Sequence, residues 1–381
     1  MTSVVVCGCA GALPLAGVGL HYLQFCLGLR DMGVDVSYLE EITDYWPYHP
    51  DRNEPDQEAT YTVPWLRQMF EAFDLPWAYR DPLGRYHGSS EPEAVGRCTS
   101  ADLVLNVSGA HNPIAHHRAA KTLAYIDTDP GFVQVKATRD PTVRSWLEGH
   151  DLLFTFAESM GSDACRIPNA GYHWKTTRQP VHLPFWQEVT TPPATAYTTV
   201  MNWRAYEPVE WQGEAWGQKD AEFPVVRNLP SRMPSLDLEL AVGGRDVPRD
   251  ELAADGWRVT DPLEATRTIW RFRDYIRDSR AELTIAKQCY VRSGSGWFSE
   301  RSANYLAAGR PVVAQDTGWS LHVPHAGKGA LPFVTAEEAE AAVRDVEADP
   351  IGHGDAARAL ASTYFEATTV LGRLLSDAGV D

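Results

Sequence analysis

Short apolar strands that alternate with helical segments are the feature that most constrains the fold of this chain. Ser3–Val6 and Val34–Leu39 are rich in β-branched and apolar residues, and Val18–Met32 between them has leucines at helical spacing. A strand, a helix and a second strand in this order form a βαβ unit, which requires a parallel sheet. Further apolar runs at Asp102–Val107 and Thr122–Ile126 end in polar turns. The pattern predicts a doubly wound sheet with ligands beyond the carboxyl ends of its strands.

A second set of strands and helices follows a stretch rich in proline and threonine at 180–195. Thr198–Met201 is its first apolar run, and Val312–Gln315 is a later one. A chain of 381 residues also exceeds the size at which a single core usually stops growing. We therefore predict an α/β fold of two Rossmann-like, doubly wound domains that face a cleft. The predicted parts are an N-terminal acceptor domain at 1–185, a C-terminal donor domain at 197–360, and a C-terminal helix at 361–381 that packs back on the N-terminal domain.

The acidic composition argues against several classes of partner. The formal net charge is −17, which disfavours attraction to nucleic acid or to anionic lipid. No apolar stretch has the length needed to cross a bilayer, and glycines interrupt the apolar start of the chain. The six scattered cysteines are typical of buried, reduced thiols. We expect a soluble, cytoplasmic protein with no nucleic-acid partner and no stable membrane insertion.

A glycine-serine turn between a strand and a helix is the strongest candidate for a ligand site. The stretch AELTIAKQCYV places Lys287 at the end of a buried strand, and SGSG at 293–296 turns the chain. Ser299 can then cap a helix that carries Arg301. Such a helix start offers free backbone N–H groups and partial positive charge, and glycine lets the backbone approach a phosphate closely. The pattern suits a diphosphate, and it equally fits a capped helix without a ligand.

The next strand adds polar groups at the same edge of the sheet. Gly309 ends the helix, Pro311 prevents its continuation, and the following strand leads to Asp316, Thr317 and Gly318. Two successive strand ends therefore offer a phosphate site and a site for sugar hydroxyls. An activated sugar nucleotide needs both.

The segment RSANYLAAGRPVVAQDTG resembles the donor-binding segment of GT-B glycosyltransferases, which have two Rossmann-like domains. It is most similar to the retaining family-four type and to spore-maturation glycosyltransferase-like proteins. Arg301 matches the basic residue of that pattern, and Gly309 and Pro311 match the glycine and the proline-led strand. Where the family carries a glutamate for the nucleotide ribose, this chain has Asn304, a neutral hydrogen-bonding group. Glu300, one turn earlier, is the candidate replacement.

The resemblance extends the candidate donor site beyond this segment. In sugar-nucleotide transferases a basic residue early in the second domain often meets the diphosphate, and Lys219 is the residue in that region. We therefore expect a set of eleven residues to bind the donor. They are Lys219, Lys287, Ser295, Gly296, Ser299, Glu300, Arg301, Asn304, Asp316, Thr317 and Gly318.

In the N-terminal half, the sequence YIDTDPGF places Asp127 and Asp129 at a strand end. Asp-Thr-Asp matches the D-x-D motif by which another glycosyltransferase fold binds a divalent metal, and paired carboxylates suit a hard cation. We favour a metal-free role in which one of the two carboxylates faces the acceptor as a base or hydroxyl anchor. The alternative is an Asx-turn closed by Pro130.

A group of histidines follows the preceding strand. His111 lies beside the strand end and is a third candidate catalytic residue, and His116 and His117 come soon after it. Their spacing does not form a recognised ligand set for a metal. We expect exposed helix histidines and no metal ion.

Together these features favour a glycosyltransferase that moves a sugar from a nucleoside diphosphate donor to a small-molecule or envelope acceptor, as in secondary metabolism. The nucleotide sugar would be a co-substrate, with no further cofactor and no metal required. Two alternatives remain at this stage: a sugar-nucleotide epimerase of the same fold, and a non-catalytic binding protein derived from it. The sequence does not indicate the oligomeric state.

Overall fold

The computed structural model describes residues 2–41, 46–187, 195–323 and 327–380. The strands in these residues are β1 (Ser3–Cys7), β2 (Asp35–Glu40), β3 (Tyr48–His49), β4 (Glu54–Pro55), β5 (Trp77–Arg80), β6 (Tyr86–Gly88), β7 (Leu103–Val107), β8 (Leu123–Asp127), β9 (Leu152–Thr155), β10 (Trp174–Thr176), β11 (Ala196–Asn202), β12 (Val209–Trp211), β13 (Glu214–Trp216), β14 (Asp237–Gly243), β15 (Arg258–Thr260), β16 (Ala281–Thr284), β17 (Val312–Gln315) and β18 (Ala330–Phe333).

The helices in the same residues are α1 (Ala16–Asp31), α2 (Thr62–Glu71), α3 (Glu91–Ser100), α4 (Ala115–Arg118), α5 (Phe132–Ala137), α6 (Pro141–Leu147), α7 (Leu229–Arg232), α8 (Arg249–Ala254), α9 (Pro262–Thr266), α10 (Ile269–Arg277), α11 (Gln288–Ser293), α12 (Glu300–Ala307), α13 (Ala336–Ala348), α14 (Pro350–Leu360) and α15 (Ala367–Asp377). None of the helices in the described ranges is long and apolar enough to cross a membrane.

The N-terminal half forms one eight-stranded sheet in the order β10-β9-β8-β7-β1-β2-β5-β6. All neighbouring strands are parallel except the edge strand β6, which pairs antiparallel with β5. The central strands β1, β7 and β8 are almost wholly buried because helices cover both faces of the sheet. The chain starts at β1 in the middle of the sheet and builds outwards in both directions, which is the doubly wound arrangement predicted from the sequence.

The C-terminal half forms a six-stranded parallel sheet in the order β15-β14-β11-β16-β17-β18. Its first strand, β11, is central, and the chain reverses its direction of growth between β11 and β16. This is the strand order of a Rossmann sheet, and a crevice for ligands opens where the order reverses. The α/β prediction with two Rossmann-like sheets is confirmed.

The final helix, α15, lies against α1 at the start of the chain. The approach is close because α1 has a glycine there. A Cβ atom added at Gly28 would lie 2.6 Å from Leu371 Cδ1 and 2.7 Å from the Ala367 Cβ. The domain limits at 185, 197 and 360 remain a prediction, and 188–194 of the connecting stretch lie outside the described residues.

Candidate functional site

Arg301 spans the point where the C-terminal sheet reverses its order. Its guanidinium donates to the Val200 carbonyl on β11 at 2.7 Å, to Glu282 Oε1 on β16 at 2.5 Å and to Thr284 Oγ1 at 2.7 Å. All three guanidinium nitrogens therefore have partners inside the protein. In this structure Arg301 fixes α12 to two strands, and its predicted contact with the diphosphate stays a prediction.

A small pocket lies between the carboxyl ends of β16 and β17 and the first turn of α12. Thr284, Ser299, Ser302 and Thr317 are among the residues that line it. Its volume is about 10 Å³, close to the least that holds one water molecule. A diphosphate therefore needs the surrounding residues to move apart before it can enter.

Ser302 and Ser299 leave hydrogen-bonding capacity at the start of α12. The Ser302 hydroxyl is fully buried and has no hydrogen-bond partner within the described residues. Ser299 occupies the position before the helix, and its side chain makes no capping hydrogen bond there. The first N–H groups of a helix also lack partners within the helix. Sequence reasoning missed Ser302 because it lies in the gap between the basic residue Arg301 and Asn304, a position to which the family pattern assigns no role.

Lys219 is a buried lysine without a paired anion. Its side chain is 8% exposed, and no hydrogen bond or ion pair involves its ammonium group in the part of the chain that the structure describes. Burial, together with the neighbouring charges of Arg301 and Lys287, lowers the pKa of Lys219 well below its ordinary value, and Glu282 opposes the shift. Lys219 thus shares a region with Lys287 and Arg301, which have carboxylate partners, while within the described residues it has none.

Lys287 lies at the boundary between the two halves of the molecule. Its ammonium is 2.6 Å from Asp129 Oδ2, from the N-terminal half, and 2.5 Å from the Tyr206 hydroxyl. Tyr290 donates a hydrogen bond to the other oxygen of Asp129. Lys287 was predicted in the donor site and Asp129 near the acceptor, and the structure brings the two together as an ion pair.

The SGSG turn packs against the N-terminal half instead of forming an open cradle. The Ser159 N–H donates to the Ser295 carbonyl at 3.0 Å, and the Arg166 N–H donates to the Ser293 carbonyl at 2.7 Å. A Cβ atom at Gly296, where φ is +75°, would lie 2.6 Å from Ser159 Oγ. The backbone of this turn has protein partners, and the predicted contact of Ser295 and Gly296 with a phosphate stays a prediction.

Asn304 and Glu300 face α1 and not the pocket. Asn304 is 1% exposed, and its carboxamide oxygen accepts a hydrogen bond from Gln24 at 3.2 Å. Glu300 Oε2 lies 2.8 Å from His21 Nδ1. Asn304 thus joins the two halves and Glu300 has an imidazole partner, and the ribose contact expected of them stays a prediction.

The residues after β17 close their own turn. Asp316 accepts hydrogen bonds from the Gly318 N–H at 2.8 Å and from the Ser320 hydroxyl at 2.6 Å. Gly318 has φ of +91°, a conformation that glycine adopts without strain. Thr317 donates its hydroxyl hydrogen to the Trp297 carbonyl at 2.6 Å and is 2% exposed. The polar atoms of these three residues have partners in the turn, and their expected role with sugar hydroxyls stays a prediction.

Of the three candidate catalytic residues, Asp127 is held inside the sheet. It is 2% exposed and accepts hydrogen bonds from Gln134 at 2.5 Å and Thr155 at 2.9 Å. Burial raises the pKa of Asp127 to about 6. The Asp129 N–H also donates to Asp127 Oδ1 at 3.3 Å, the contact that the Asx-turn alternative requires. Asp127 is thus a buried turn residue in this structure, and its contact with the acceptor stays a prediction.

The histidines are also not where the sequence suggested. His111 and His117 are only 4% and 2% exposed, so the expectation of exposed helix histidines is wrong for both. The His111 ring Nε2 lies 3.1 Å from the Gly8 carbonyl, at the end of β1. His111 is therefore a buried group with local partners, and Asp129 alone of the three catalytic candidates reaches the boundary between the halves.

No protein-family model matches the sequence, and no curated protein matches it. Solved structures do match over the whole chain. The chain has the GT-B fold. It is similar to an α-glucosyltransferase (AGT) in complex with UDP, at 9% identity and a TM-score of 0.62 over 100% of both chains. It is also similar to Anabaena Alr3699/HepE in complex with UDP-glucose, at 12% identity and a TM-score of 0.58, again over 100% of both chains.

A third solved structure is AviGT4, a glycosyltransferase involved in avilamycin A biosynthesis. It is 14% identical, with a TM-score of 0.53 over 100% of this chain and 97% of AviGT4. At such low identities the likeness establishes the two-sheet fold, and the donor site must be argued from the residues of this chain.

Proposed function

We propose that this protein is a glycosyltransferase that takes a sugar from a nucleoside diphosphate sugar. The observation that carries the proposal is Lys219, a buried cation with no anionic partner within the described residues, beside Lys287 and Arg301. A buried ammonium without a partner is costly, and an anionic ligand removes that cost. The region lies at the reversal of a Rossmann sheet, where phosphate-bearing ligands bind.

The chemistry of the surrounding groups favours a diphosphate as that anion. The cations Lys219, Lys287 and Arg301 outnumber their two carboxylates, Glu282 and Asp129. The unpartnered Ser302 hydroxyl and the start of α12 add hydrogen-bond donors in the pocket whose lining residue Thr284 is bonded to Arg301. Donors and positive charge held in place before the reaction stabilise negative charge that develops on a leaving group.

In the transfer, the bond between the sugar anomeric carbon and the diphosphate oxygen breaks, and the diphosphate keeps the electron pair. An acceptor oxygen forms the new bond to that carbon and loses its proton to a base. We assign Lys219 and Lys287 to the diphosphate. When Lys287 moves to the diphosphate, Asp129 loses its ion-pair partner and is positioned to receive the acceptor proton.

The solved structures support the choice of donor. The AGT and HepE structures contain UDP or UDP-glucose, which makes uridine diphosphate the first nucleotide to test. We assign the acceptor to the N-terminal half, on the side of Asp129, and expect a small-molecule or envelope acceptor handled in the cytoplasm. Within this proposal the nucleotide sugar is a co-substrate, and sugar transfer requires no metal.

Isothermal titration with UDP, GDP, ADP and dTDP tests the proposal. We expect one of them to bind the wild-type protein, and Lys219→Met to weaken that binding at least tenfold. Lys136→Met is the matched control, because Lys136 is exposed on α5. The proposal fails if none of the four binds, or if both variants bind as wild type does. Conversion of the sugar nucleotide without any acceptor would instead establish the epimerase alternative.

A further inference from the structure

A cluster of thiol and imidazole groups lies at the carboxyl edge of the N-terminal sheet, in the half that lacks the donor pocket. Cys7 is the last residue of β1, His111 follows β7 and His117 lies on α4. One potential ligand atom from each of these three side chains lies within 4.8 Å of the other two. All three are buried, at 0%, 4% and 2% exposure. We propose that Cys7, His111 and His117 bind a divalent transition metal ion of the zinc class, with Glu41 as the fourth ligand.

The nitrogen atoms that would face the metal lack other partners. Nδ1 of His111 and Nε2 of His117 are buried and have no hydrogen bond within the described residues. The other nitrogen of His111, Nε2, lies 3.1 Å from the Gly8 carbonyl and donates its hydrogen there in the tautomer that frees Nδ1, which gives up the 3.4 Å contact from the Glu41 N–H. The contact with Gly8 leaves Nδ1 as the free lone pair and fixes the orientation of the ring, as is usual for a histidine that binds metal.

Glu41 approaches the triad at His117, and its carboxylate has to shift toward Cys7 and His111 to become the fourth ligand. Its Oε2 lies 3.4 Å from His117 Nε2, close to the separation of about 3.3–3.7 Å between neighbouring ligand atoms of a tetrahedral zinc site. His116 Nε2 lies 2.6 Å from the same oxygen, and Tyr86 donates to Oε1. These two neighbours orient the carboxylate, so we assign His116 to a supporting role.

The charges and the ligand types favour zinc over a hard cation. Binding displaces the proton of the Cys7 thiol to solvent, and the resulting thiolate with the Glu41 carboxylate balances a 2+ ion. A neutral buried site avoids the cost of an unpaired charge. Sulfur with imidazole nitrogen is a zinc-type ligand set, whereas calcium and magnesium prefer oxygen. Binding through His117 Nε2 places the ring proton on Nδ1, so the 3.3 Å contact from the Ile114 N–H must be released.

A second group of three side chains is the alternative metal site. Cys98, His116 and His117 also bring one ligand atom each within 4.8 Å of one another, and they share His117 with the first triad. His116 is more exposed than the other histidines, and its Nε2 already faces Glu41. The first triad offers two unpartnered nitrogens and complete burial, which is the character of a closed structural site.

The full-length protein tests the inference without any assumption about sugar transfer. We expect elemental analysis to find about one zinc per chain after purification without chelator. After removal of the metal, Co²⁺ should bind with a thiolate-to-cobalt charge-transfer band in the near ultraviolet. Cys7→Ser should abolish this band, and Cys26→Ser, which removes another buried thiol, should keep it.

The metal content and the cobalt band of the wild-type protein test the proposal by themselves, so the test does not depend on whether the variants fold. No metal on purification combined with no cobalt band in wild type overturns it. A disulfide between Cys7 and Cys98 in the purified protein also overturns it. If Cys98→Ser loses the band while folded Cys7→Ser retains it, the ion belongs to the second triad and the ligand assignment is wrong.

Discussion

Replacing Lys219 by methionine separates binding from stability, because the two should change in opposite directions. In the ligand-free protein the Lys219 ammonium is buried without a paired anion, and methionine fills a similar volume without a charge. Relief of a buried polar group that lacks a partner is worth about 1–3 kcal/mol. We therefore expect Lys219→Met to raise the free energy of unfolding, with a rise in Tm of roughly 2–4 °C for each kcal/mol.

The same change should weaken nucleotide binding. A hydrogen bond from an ammonium to a phosphate oxygen contributes about 1.5–3 kcal/mol, so its loss raises the Kd roughly 10- to 150-fold. Most substitutions that damage a binding site also leave the fold unchanged or less stable. Weaker binding in a more stable protein is therefore a specific signature of a cation that is held ready for an anion.

The pH dependence of stability provides a third test of the role of Lys219. Burial first, and then the neighbouring cations, lowers the pKa of Lys219 in the folded state. Between that lowered pKa and the unfolded value of about 10.4, the unfolded chain binds more protons than the folded protein. The free energy of unfolding of the wild-type protein should therefore rise with pH through that window, because of the titration of Lys219. The advantage of Lys219→Met should be largest at the acidic end and vanish near pH 10.

Urea unfolding of wild type, Lys219→Met and Lys136→Met between pH 7 and pH 10 measures these differences, and titration with the bound nucleotide measures affinity. Lys136→Met should follow wild type in both. The reasoning is refuted if Lys219→Met is less stable than wild type across the whole range, because Lys219 would then have a stabilising partner. It is also refuted if nucleotide affinity does not change.

Two further predictions concern contacts between the halves. Asp129→Asn should free Lys287 and tighten nucleotide binding by about fivefold, because a partly exposed ion pair is worth about 1 kcal/mol. The rate of sugar transfer should fall in the same variant. Weaker nucleotide binding in titration would contradict this prediction. Gly28→Ala should destabilise the protein by about 1–3 kcal/mol in urea unfolding, because the new Cβ meets Leu371 on α15. Gly17→Ala is the control on the same helix, because no atom would lie nearer than 3.9 Å to the new Cβ; it should be neutral or stabilise the protein by up to about 1 kcal/mol. Equal losses of stability in both variants would argue against close packing at Gly28.

The sequence predicted the parallel strands well because they are short, buried and rich in β-branched residues. Val312–Gln315 coincides with β17, and Thr335 with Glu338 three residues later, a spacing that predicts a capping box, forms one at the start of α13. The helix α11 was missed, since its residues QCYV continue the apolar run of β16 and resemble a longer strand. Only tertiary contacts decide between strand and helix for such a short segment.

The site was harder to predict because its decisive contacts join distant parts of the chain. Asn304 pairs with Gln24, 280 residues earlier, and neither position shows a pattern that announces the contact. Lys287 was placed at the correct strand end, but its partner Asp129 was assigned to a separate acceptor site. Local spacing identifies which residues stand at a strand end, and it does not show which of them already have a partner.

The difference in partners gives Lys219 and Lys287 separate roles in donor binding. Lys287 is paired with Asp129 across the boundary between the halves, and the pocket beside α12 holds about 10 Å³. A diphosphate must therefore take Lys287 from Asp129 and widen the pocket, and both steps oppose binding. Lys219 has no partner to lose within the described residues, so no contact of its side chain must break when the diphosphate binds. Its pairing with the ligand therefore favours the complex. On this reasoning Lys219 supplies affinity, whereas Lys287 links the arrival of the donor to the release of the carboxylate that faces the acceptor.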